Sequence, residues 1–305
     1  MFLVDNDSQL SPDPLHDVRD LVLNPLGSFW TKLAHGFAPA IIEGEVCPIV
    51  YDGSDGVSIR IENLNKSFGE HHVLKNINLD IEPGETFSII GPSGTGKSLL
   101  LKHIVNLETA DTGRVLINDY DMTVKMAKNT TRNFRYSMVF QSSALFNSLT
   151  VGENVGLWLR EKRICGEIRV RRIIQEKLQL VGLAGKEELL TSELSGGMRK
   201  RVAIARSLAM NPDLILYDEP TAELDPVASD ELAHVIMSLR KKVNLTTIIV
   251  SHDLSFALYL SDRVAMMHEG EIVALGTPEE IKKSQNPIVQ NFIYTTTKGI
   301  RGEGE

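Results

Sequence analysis

Short apolar runs alternate with amphipathic stretches from Val57 onward. Five of these runs are typical of strands buried in a parallel sheet: TFSIIG at 86–91, DLILYDEP at 213–220, TTIIVSH at 246–252, RVAMM at 263–267 and EIVALG at 271–276. Two further segments, at 58–68 and 113–119, alternate more strongly or are short and bounded by turns, which predicts strands of a side sheet. The pattern over about 150–210 is mostly helical.

Residues 1–55 follow a different pattern from the rest of the chain. Prolines at positions 12, 14, 25, 39 and 48 interrupt any long helix, and DGSDG at 52–56 is typical of a linker. We therefore predict an N-terminal extension at 1–55, a main domain at 56–285 and a C-terminal tail at 286–305. Apolar residues between 18 and 33 recur at helical spacing, which fits a membrane-surface or partner-binding segment, or else an arm that packs on its own domain or is disordered.

Composition narrows the class of protein. The chain has 305 residues, 42% hydrophobic and 24% charged, as in ordinary globular proteins, and its net charge of −8 argues against nucleic acid as a partner. The two cysteines, Cys47 and Cys165, lie 118 residues apart without CxxC spacing, so a disulfide framework or zinc site is not indicated. No apolar run reaches bilayer length, and the acidic start MFLVDNDSQ does not resemble a signal peptide. We expect a protein of the reducing cytoplasm.

The strongest chemical motif is a glycine-rich loop between a predicted strand and a predicted helix. It has the pattern G-x-x-x-x-G-K-[ST], in which the glycines let the backbone wrap a phosphate and direct N–H groups at it. The lysine supplies positive charge at the β- and γ-phosphates, and the serine offers a hydroxyl to Mg²⁺. This phosphate loop consists of Gly91, Pro92, Ser93, Gly94, Thr95, Gly96, Lys97 and Ser98.

Two adjacent acids end the apolar run at 214–217. Acids at the end of a buried strand are costly unless they serve a purpose. Asp218 fits the role of holding Mg²⁺ through its water shell, and Glu219 that of a general base for the attacking water. A solvated strand end is the alternative, but the phosphate loop favours the catalytic interpretation.

The sequence resembles the ATP-binding cassette family because of LSGGM at 194–198, which lies 19 residues before Tyr217-Asp218-Glu219-Pro220. In this signature segment Ser195 can cap the helix beginning near Met198, and the small residues Gly196 and Gly197 let backbone N–H groups approach a γ-phosphate. The resemblance implies that this segment serves the nucleotide of a second copy of the chain.

Four further positions follow the family's order. The resemblance implies that Phe68 stacks on adenine, that Gln141 contacts Mg²⁺ and the attacking water, and that His252 contacts the γ-phosphate. It also places Asp225 at the seam of the dimer. Taken alone, these would be a core aromatic, a polar loop residue, a structural histidine and a charge at a helix N-terminus.

The resemblance covers about residues 57–285 and implies an α/β fold. Its parts are a RecA-like P-loop core, an antiparallel β side sheet and an inserted helical subdomain. It also implies an ATPase that uses ATP and Mg²⁺ and works as a homodimer with integral-membrane permease subunits, so that it is cytoplasmic and peripheral on the inner face of the membrane. Two residues differ from the commonest pattern of the family: Leu99 stands where many members have a second Ser or Thr, and Met198 stands where a Gln is frequent.

A narrower resemblance concerns the cargo. SLLL at 98–101, FQSSALFNSLTVGENV at 140–155 and ELSGGM at 193–198 resemble the cassettes of Mla-type phospholipid transport, which work with MCE-domain lipid-binding proteins. One alternative is an importer of amino acids or another small solute. Another, of a different class, is a soluble cassette such as a DNA-repair or translation ATPase, although the coiled coils, zinc modules or fused second cassette usual there are not apparent.

Residues 142–151, the coupling segment, carry four large apolar side chains: Leu145, Phe146, Leu149 and Val151. The resemblance places this segment beside the groove that receives a permease helix, which predicts that Phe146 is an anchor. The alternative is that Leu145 and Phe146 pack inside the helical subdomain.

Overall fold

The computed structural model describes residues 56–124 and 134–298. The predicted helical segment between 18 and 33, most of the linker, and Cys47 lie outside these residues. Within the described ranges, no helix is both long enough and apolar enough to cross a bilayer.

The side sheet has four strands in the order β2-β1-β4-β5. They are β1 Ile59–Phe68, β2 His71–Ile81, β4 Thr112–Ile117 and β5 Tyr120–Asp121. All neighbours are antiparallel. The side-sheet strands predicted at 58–68 and 113–119 are therefore confirmed.

The core sheet has six strands in the order β10-β9-β3-β8-β7-β6. They are β3 Thr86–Ile90, β6 Tyr136–Val139, β7 Leu214–Asp218, β8 Thr246–Ser251, β9 Arg263–His268 and β10 Glu271–Gly276. Strands β9, β3, β8, β7 and β6 are parallel, and nearly all their residues are buried. Because side chains on both faces are covered, these strands are apolar runs, and β3, β7, β8 and β9 lie where they were predicted.

Strand β10 corrects the prediction of a buried parallel strand at 271–276. It pairs antiparallel with β9 at the edge of the sheet, and its residues are exposed or half-buried. Glu269 and Gly270, between the two strands, have φ of 46° and 84°, the positive values of a type I′ hairpin turn. A two-residue turn of this kind forces antiparallel pairing.

Eight α-helices and a 3-10 turn at Thr191–Glu193 complete the described fold. The α-helices are α1 Lys97–Ile104, α2 Val151–Glu161, α3 Glu167–Leu180, α4 Gly196–Ala209, α5 Pro226–Lys242, α6 Leu254–Leu260, α7 Pro278–Lys282 and α8 Pro287–Lys298. Helices α2, α3 and α4 pack on one another around a buried apolar cluster, which confirms the helical subdomain. The predicted architecture, a RecA-like core with a side sheet and an inserted helical subdomain, is thus observed.

Helix α8 lies in the segment predicted as a C-terminal tail. Its Val289 and Phe292 are buried in a cluster with Ile90, Val264 and Ile281 of the core. The domain limits at 55 and 285 stay predictions, but the first turns of the tail pack on the core domain.

The first residues of the domain are fixed to the start of β8. The Thr246 hydroxyl accepts hydrogen bonds from the N–H groups of Val57 (2.8 Å) and Gly84 (3.0 Å) and donates to the Val57 carbonyl (2.7 Å). The domain therefore begins at the amino edge of the parallel strands, where β8 begins.

Candidate active site

Most of the predicted site residues meet where the parallel strands end. The loops after β3, β6, β7 and β8 leave the same edge of the sheet, because parallel strands all point one way. A cavity of about 370 Å³ opens there. It is lined by Ser93, Gly94, Gly96, Lys97, Ser98, Leu99, Gln141, Glu219, Ala222 and His252.

The phosphate loop requires glycine at two crowded positions. Gly91 has φ of 147°, and a Cβ atom there would lie 2.1 Å from the carbonyl oxygen of Met267. Gly96 has φ of 97°, and its Cβ would lie 2.8 Å from Leu74 Cδ2. Because α1 begins at Lys97, the loop leads into free N–H groups at a helix N-terminus, an arrangement that binds phosphate.

Lys97 is 5% exposed and is bound within the phosphate loop. Its Nζ donates to the carbonyl oxygens of Gly91 and Pro92, both at 2.9 Å, and lies 3.7 Å from Glu219 Oε1. Burial lowers the pKa of Lys97, and the nearby Glu219 carboxylate opposes that shift. The ammonium group is therefore held at the floor of the cavity, where phosphates would be bound.

Ser98 and Asp218 bring two oxygen donors together. The Ser98 hydroxyl donates to Asp218 Oδ1 at 2.6 Å. Burial raises the pKa of Asp218, whereas the hydrogen bond from Ser98 lowers it. Hydroxyl and carboxylate oxygens suit Mg²⁺, which takes a few protein ligands and completes its shell with water and phosphate oxygens. Ser98 and Asp218, with Gln141 on the same cavity as Ser98, therefore fit a magnesium site. Among the described residues, no group of three or more Asp, Glu, His or Cys side chains could hold a metal ion.

Glu219 is held in position by its backbone and by His252. Its φ is 47°, which is unusual for a non-glycine residue, and its N–H donates to the Val250 carbonyl at 2.9 Å. Glu219 Oε2 lies 2.7 Å from His252 Nδ1 and accepts from the His252 N–H at 3.1 Å. The carboxyl group is thereby aimed between the ends of β7 and β8, beside Lys97.

Phe68 lies apart from this cavity, at the end of β1. Its side chain is 52% exposed, and Lys66 Nζ lies 5.0 Å from its ring centroid. An exposed aromatic face is suited to stacking. The described geometry does not bring Phe68 to the cavity lining, so its contact with adenine stays a prediction.

The signature segment and Asp225 also lie off the cavity lining. The Ser195 hydroxyl accepts from the Met198 N–H at 3.2 Å, so it caps α4 as expected, although the helix begins at Gly196. Asp225 Oδ1 accepts from the Ala228 N–H at 2.9 Å and caps α5. A Cβ added to Gly197 would lie 3.4 Å from Ala228, so the two caps belong to neighbouring parts of the surface.

Sequence reasoning missed three buried polar residues around the Gln141 loop. Lys200 Nζ donates to the Gln141 carbonyl, and Arg206 donates to the carbonyls of Ser143 and Ala144. Asn154, fully buried, bonds the backbone at Phe146, Leu149 and Thr150. The isolated Asn within VGENVGLWL was the one available signal, because a polar residue in an apolar helix face is often buried with partners.

Comparisons with known proteins agree with this geometry. The family described as "ABC transporter" matches residues 74–222. The "Probable ribonucleotide transport ATP-binding protein mkl" of Mycobacterium leprae (strain TN) is 38% identical over 82% of this chain and 72% of its own length. "Protein TRIGALACTOSYLDIACYLGLYCEROL 3, chloroplastic" of Arabidopsis thaliana is 40% identical over 81% of this chain and 76% of its own.

A solved structure with a similar fold is the ATP-binding cassette MJ0796, described as a dimer in a post-hydrolysis state bound to ADP and Pi. It superposes with a TM-score of 0.64 at 32% identity, covering 72% of this chain and 98% of that one. This structure and the two relatives belong to a family of proteins that bind and hydrolyse ATP, which agrees with the chemistry expected from the phosphate loop. The chain belongs to the ATP-binding cassette family and is the ATPase subunit of an ABC transporter, binding ATP with Mg²⁺ and hydrolysing it.

Proposed function

We propose that the chain forms a homodimer around two MgATP and drives a membrane permease that moves phospholipid, in an Mla-type system with an MCE-domain partner. The observation that carries the ATPase part is the convergence of Lys97, Asp218, Glu219 and His252 where adjacent parallel strands end.

In this proposal each group of the site has a defined task. Lys97 and the loop N–H groups bind the β- and γ-phosphates, and Ser98, Asp218 and Gln141 hold Mg²⁺, which neutralises phosphate charge when bound. Glu219 accepts a proton from the attacking water as general base, and His252 orients that carboxyl and contacts the γ-phosphate.

The second copy completes each site. Ser195, Gly196 and Gly197 do not line their own chain's cavity among the described residues. They lie instead beside the Asp225-capped start of α5. A surface that carries a helix N-terminus with small residues is suited to a partner's γ-phosphate. The description of MJ0796 as a dimer supports this arrangement.

The coupling segment is the proposed contact with the permease. Val151 is fully buried and Leu145 packs against the apolar cluster of the helical subdomain, so neither is a surface anchor. Phe146 is half-buried and its backbone is fixed by Asn154. Because its side chain is not part of that cluster, Phe146 remains the proposed anchor for an apolar face of a permease helix.

Two observations support a lipid cargo. One is the resemblance at 98–101, 140–155 and 193–198, and the other is that the name of the Arabidopsis relative includes the name of a diacylglycerol lipid. Names of other relatives favour a second candidate, an importer of small solutes: a "Sulfate/thiosulfate import ATP-binding protein CysA" and a "Spermidine/putrescine import ATP-binding protein PotA". In either case the chain works at the cytoplasmic face of the membrane.

The deciding experiment is identification of the proteins that copurify with the chain from gently solubilised membranes. A permease together with an MCE-domain protein supports phospholipid transport. A permease with a solute-binding protein favours the importer. Recovery without any integral-membrane protein overturns both and favours a soluble cassette.

A further inference from the structure

The Gln141 loop connects β6 to α2 and is bound by two cations of one helix, α4. Lys200 Nζ donates to the carbonyl of Gln141. Arg206 donates to the carbonyls of Ser143 (2.9 Å) and Ala144 (2.7 Å). Helix α4 also begins at the Ser195 cap, so one rigid element carries the signature segment and holds this loop.

Lys200 is 4% exposed, which makes its position costly without partners. Burial lowers the pKa of Lys200, while the nearby carboxylates of Glu223, Asp218 and Glu219 oppose that shift. Its ammonium group therefore lies in the field of the site's own acids while it bonds the Gln141 backbone. Charge-assisted hydrogen bonds of this kind are stronger and more directional than neutral ones.

The loop is also strained where Arg206 binds it. Ser143 and Ala144 have φ of 62° and 45°, in the left-handed region that non-glycine residues rarely adopt. Such a backbone persists when its surroundings hold it, and the two guanidinium bonds contribute to this together with the bond from the Ser143 N–H to the Phe140 carbonyl. Hydrogen bonds from both Lys200 and Arg206 therefore tie the loop to α4.

We infer that Lys200 is a positioning residue that couples the two ATP sites of the dimer, by moving Gln141 of its own site when Ser195 on the same helix meets the partner's nucleotide. This rests on the proposed composite site. Lys200 follows Ser195 by five residues, about 7.5 Å along the helix axis. Within that distance a helix transmits a shift with little bending, so a contact at its first turn displaces the loop that Lys200 holds.

The experiment measures ATP hydrolysis against ATP concentration for the full-length wild-type chain and for Lys200→Met, with ATP affinity and thermal unfolding measured alongside. The wild type is expected to give a Hill coefficient above 1. In Lys200→Met the coefficient falls toward 1, because a coupling worth roughly 5- to 150-fold in affinity between sites is lost. ATP binding to the single chain is retained.

Two variants separate positioning from folding. Lys200→Arg keeps a positive charge and N–H donors for the Gln141 carbonyl, so it should keep the cooperativity of the wild type. Lys177→Met removes another lysine that is 4% exposed in the helical subdomain, on α3, and should leave cooperativity unchanged. If Lys200→Met does not fold, Lys200→Gln is measured in its place, because its amide is too short to replace the ammonium and the same loss is expected.

A wild type without cooperativity, or a Lys200→Met chain that keeps it, overturns the inference. Equal losses in Lys200→Met and Lys177→Met do so as well, since they would reflect general damage to the subdomain. MgATP-dependent dimer formation in a Glu219→Gln background distinguishes the levels of failure. If no dimer forms, the proposed composite site is wrong and this inference is wrong with it. If the dimer forms normally but cooperativity is the same with and without Lys200, only this inference is wrong.

Discussion

The Nδ1 atom of His252 lies 2.7 Å from Oε2 of Glu219, and the backbone N–H of the same histidine donates to that oxygen at 3.1 Å. Glu219 also has a left-handed backbone, with φ of 47°. Two contacts from one residue and a fixed main chain therefore set the direction of the carboxyl group. A neutral side chain with an acceptor oxygen at this position, such as glutamine, could accept the same two hydrogen bonds and keep the same orientation.

Glu219→Gln should retain ATP binding and lose hydrolysis. The amide oxygen can still accept both bonds from His252, whereas the group can no longer take a proton from water. The closed dimer should therefore accumulate with MgATP, as measured by size-exclusion chromatography with light scattering. A variant that hydrolyses ATP at the wild-type rate would remove Glu219 from the role of base.

Lys97→Ala should reduce ATP turnover by about a hundredfold or more, because it removes charge that stabilises the phosphoryl-transfer transition state. Turnover is measured by phosphate release, and circular dichroism checks the fold. Lys102→Ala, a nearby exposed lysine on α1, is the matched control and should change turnover little. Undiminished hydrolysis by Lys97→Ala contradicts the assignment of the phosphate loop.

Mixed dimers test whether Ser195 acts across the dimer. With a Ser195→Ala defect on one chain and a Lys97→Ala defect on the other, a trans arrangement leaves one site intact and damages the other twice. Residual hydrolysis above that of either homodimeric mutant supports the arrangement. Crosslinks between positions 195 and 97 settle the geometry directly, and crosslinks confined to one chain refute it.

Phe146→Ala should weaken copurification with the permease and the permease's stimulation of ATP hydrolysis, while the isolated chain stays folded and binds ATP. Loss of a well-buried apolar contact should weaken the free energy of binding to the permease by roughly 1 to 3 kcal/mol. Leu145→Ala is the comparison, because Leu145 packs against the subdomain cluster and its loss should lower the unfolding temperature instead. Normal assembly of Phe146→Ala excludes this residue as an anchor.

Lys177 gives a pH dependence of stability. Burial lowers the pKa of Lys177 from 10.5 to about 8, so between these values the unfolded chain binds more protons than the folded one. The free energy of unfolding contributed by this residue should therefore rise with pH across that window, by roughly 3 kcal/mol in total. Urea titrations at pH 7.5 and 10 measure it, and the rise should be smaller in Lys177→Met. Equal pH dependence in both chains contradicts the lowered pKa.

The sequence predicted the buried strands well because each is covered on both faces and so consists of apolar residues throughout. Strand β10 was assigned wrongly for a related reason. EIVALG is as apolar as a central strand, and its edge position depends on the turn at Glu269 and Gly270. The four-residue strand β6 drew no prediction, since Tyr136–Val139 is too short for a clear pattern.

Within the site, local motifs predicted the groups that lie next to each other along the chain or where strands end. They did not predict how those groups are supported. Lys200 and the carbonyl of Gln141 are separated by 59 positions, and Arg206 and Ala144 by 62. A lysine in the run Arg199-Lys200-Arg201 would ordinarily be expected at the surface. Its burial depends on where the loop after β6 lies, which is a property of the tertiary structure.

The three hydrogen bonds of Thr246 decide how the chain can be extended or shortened at its amino end. Val57 is fixed at the start of β8, whereas His252 and the cavity lie just beyond its other end, about 20 Å away along the six residues of this strand. A fusion partner or an affinity tag placed before Gly56 is thus attached on the side of the sheet remote from bound nucleotide. A chain that starts at Gly56 keeps the three hydrogen bonds that Thr246 makes with Val57 and Gly84.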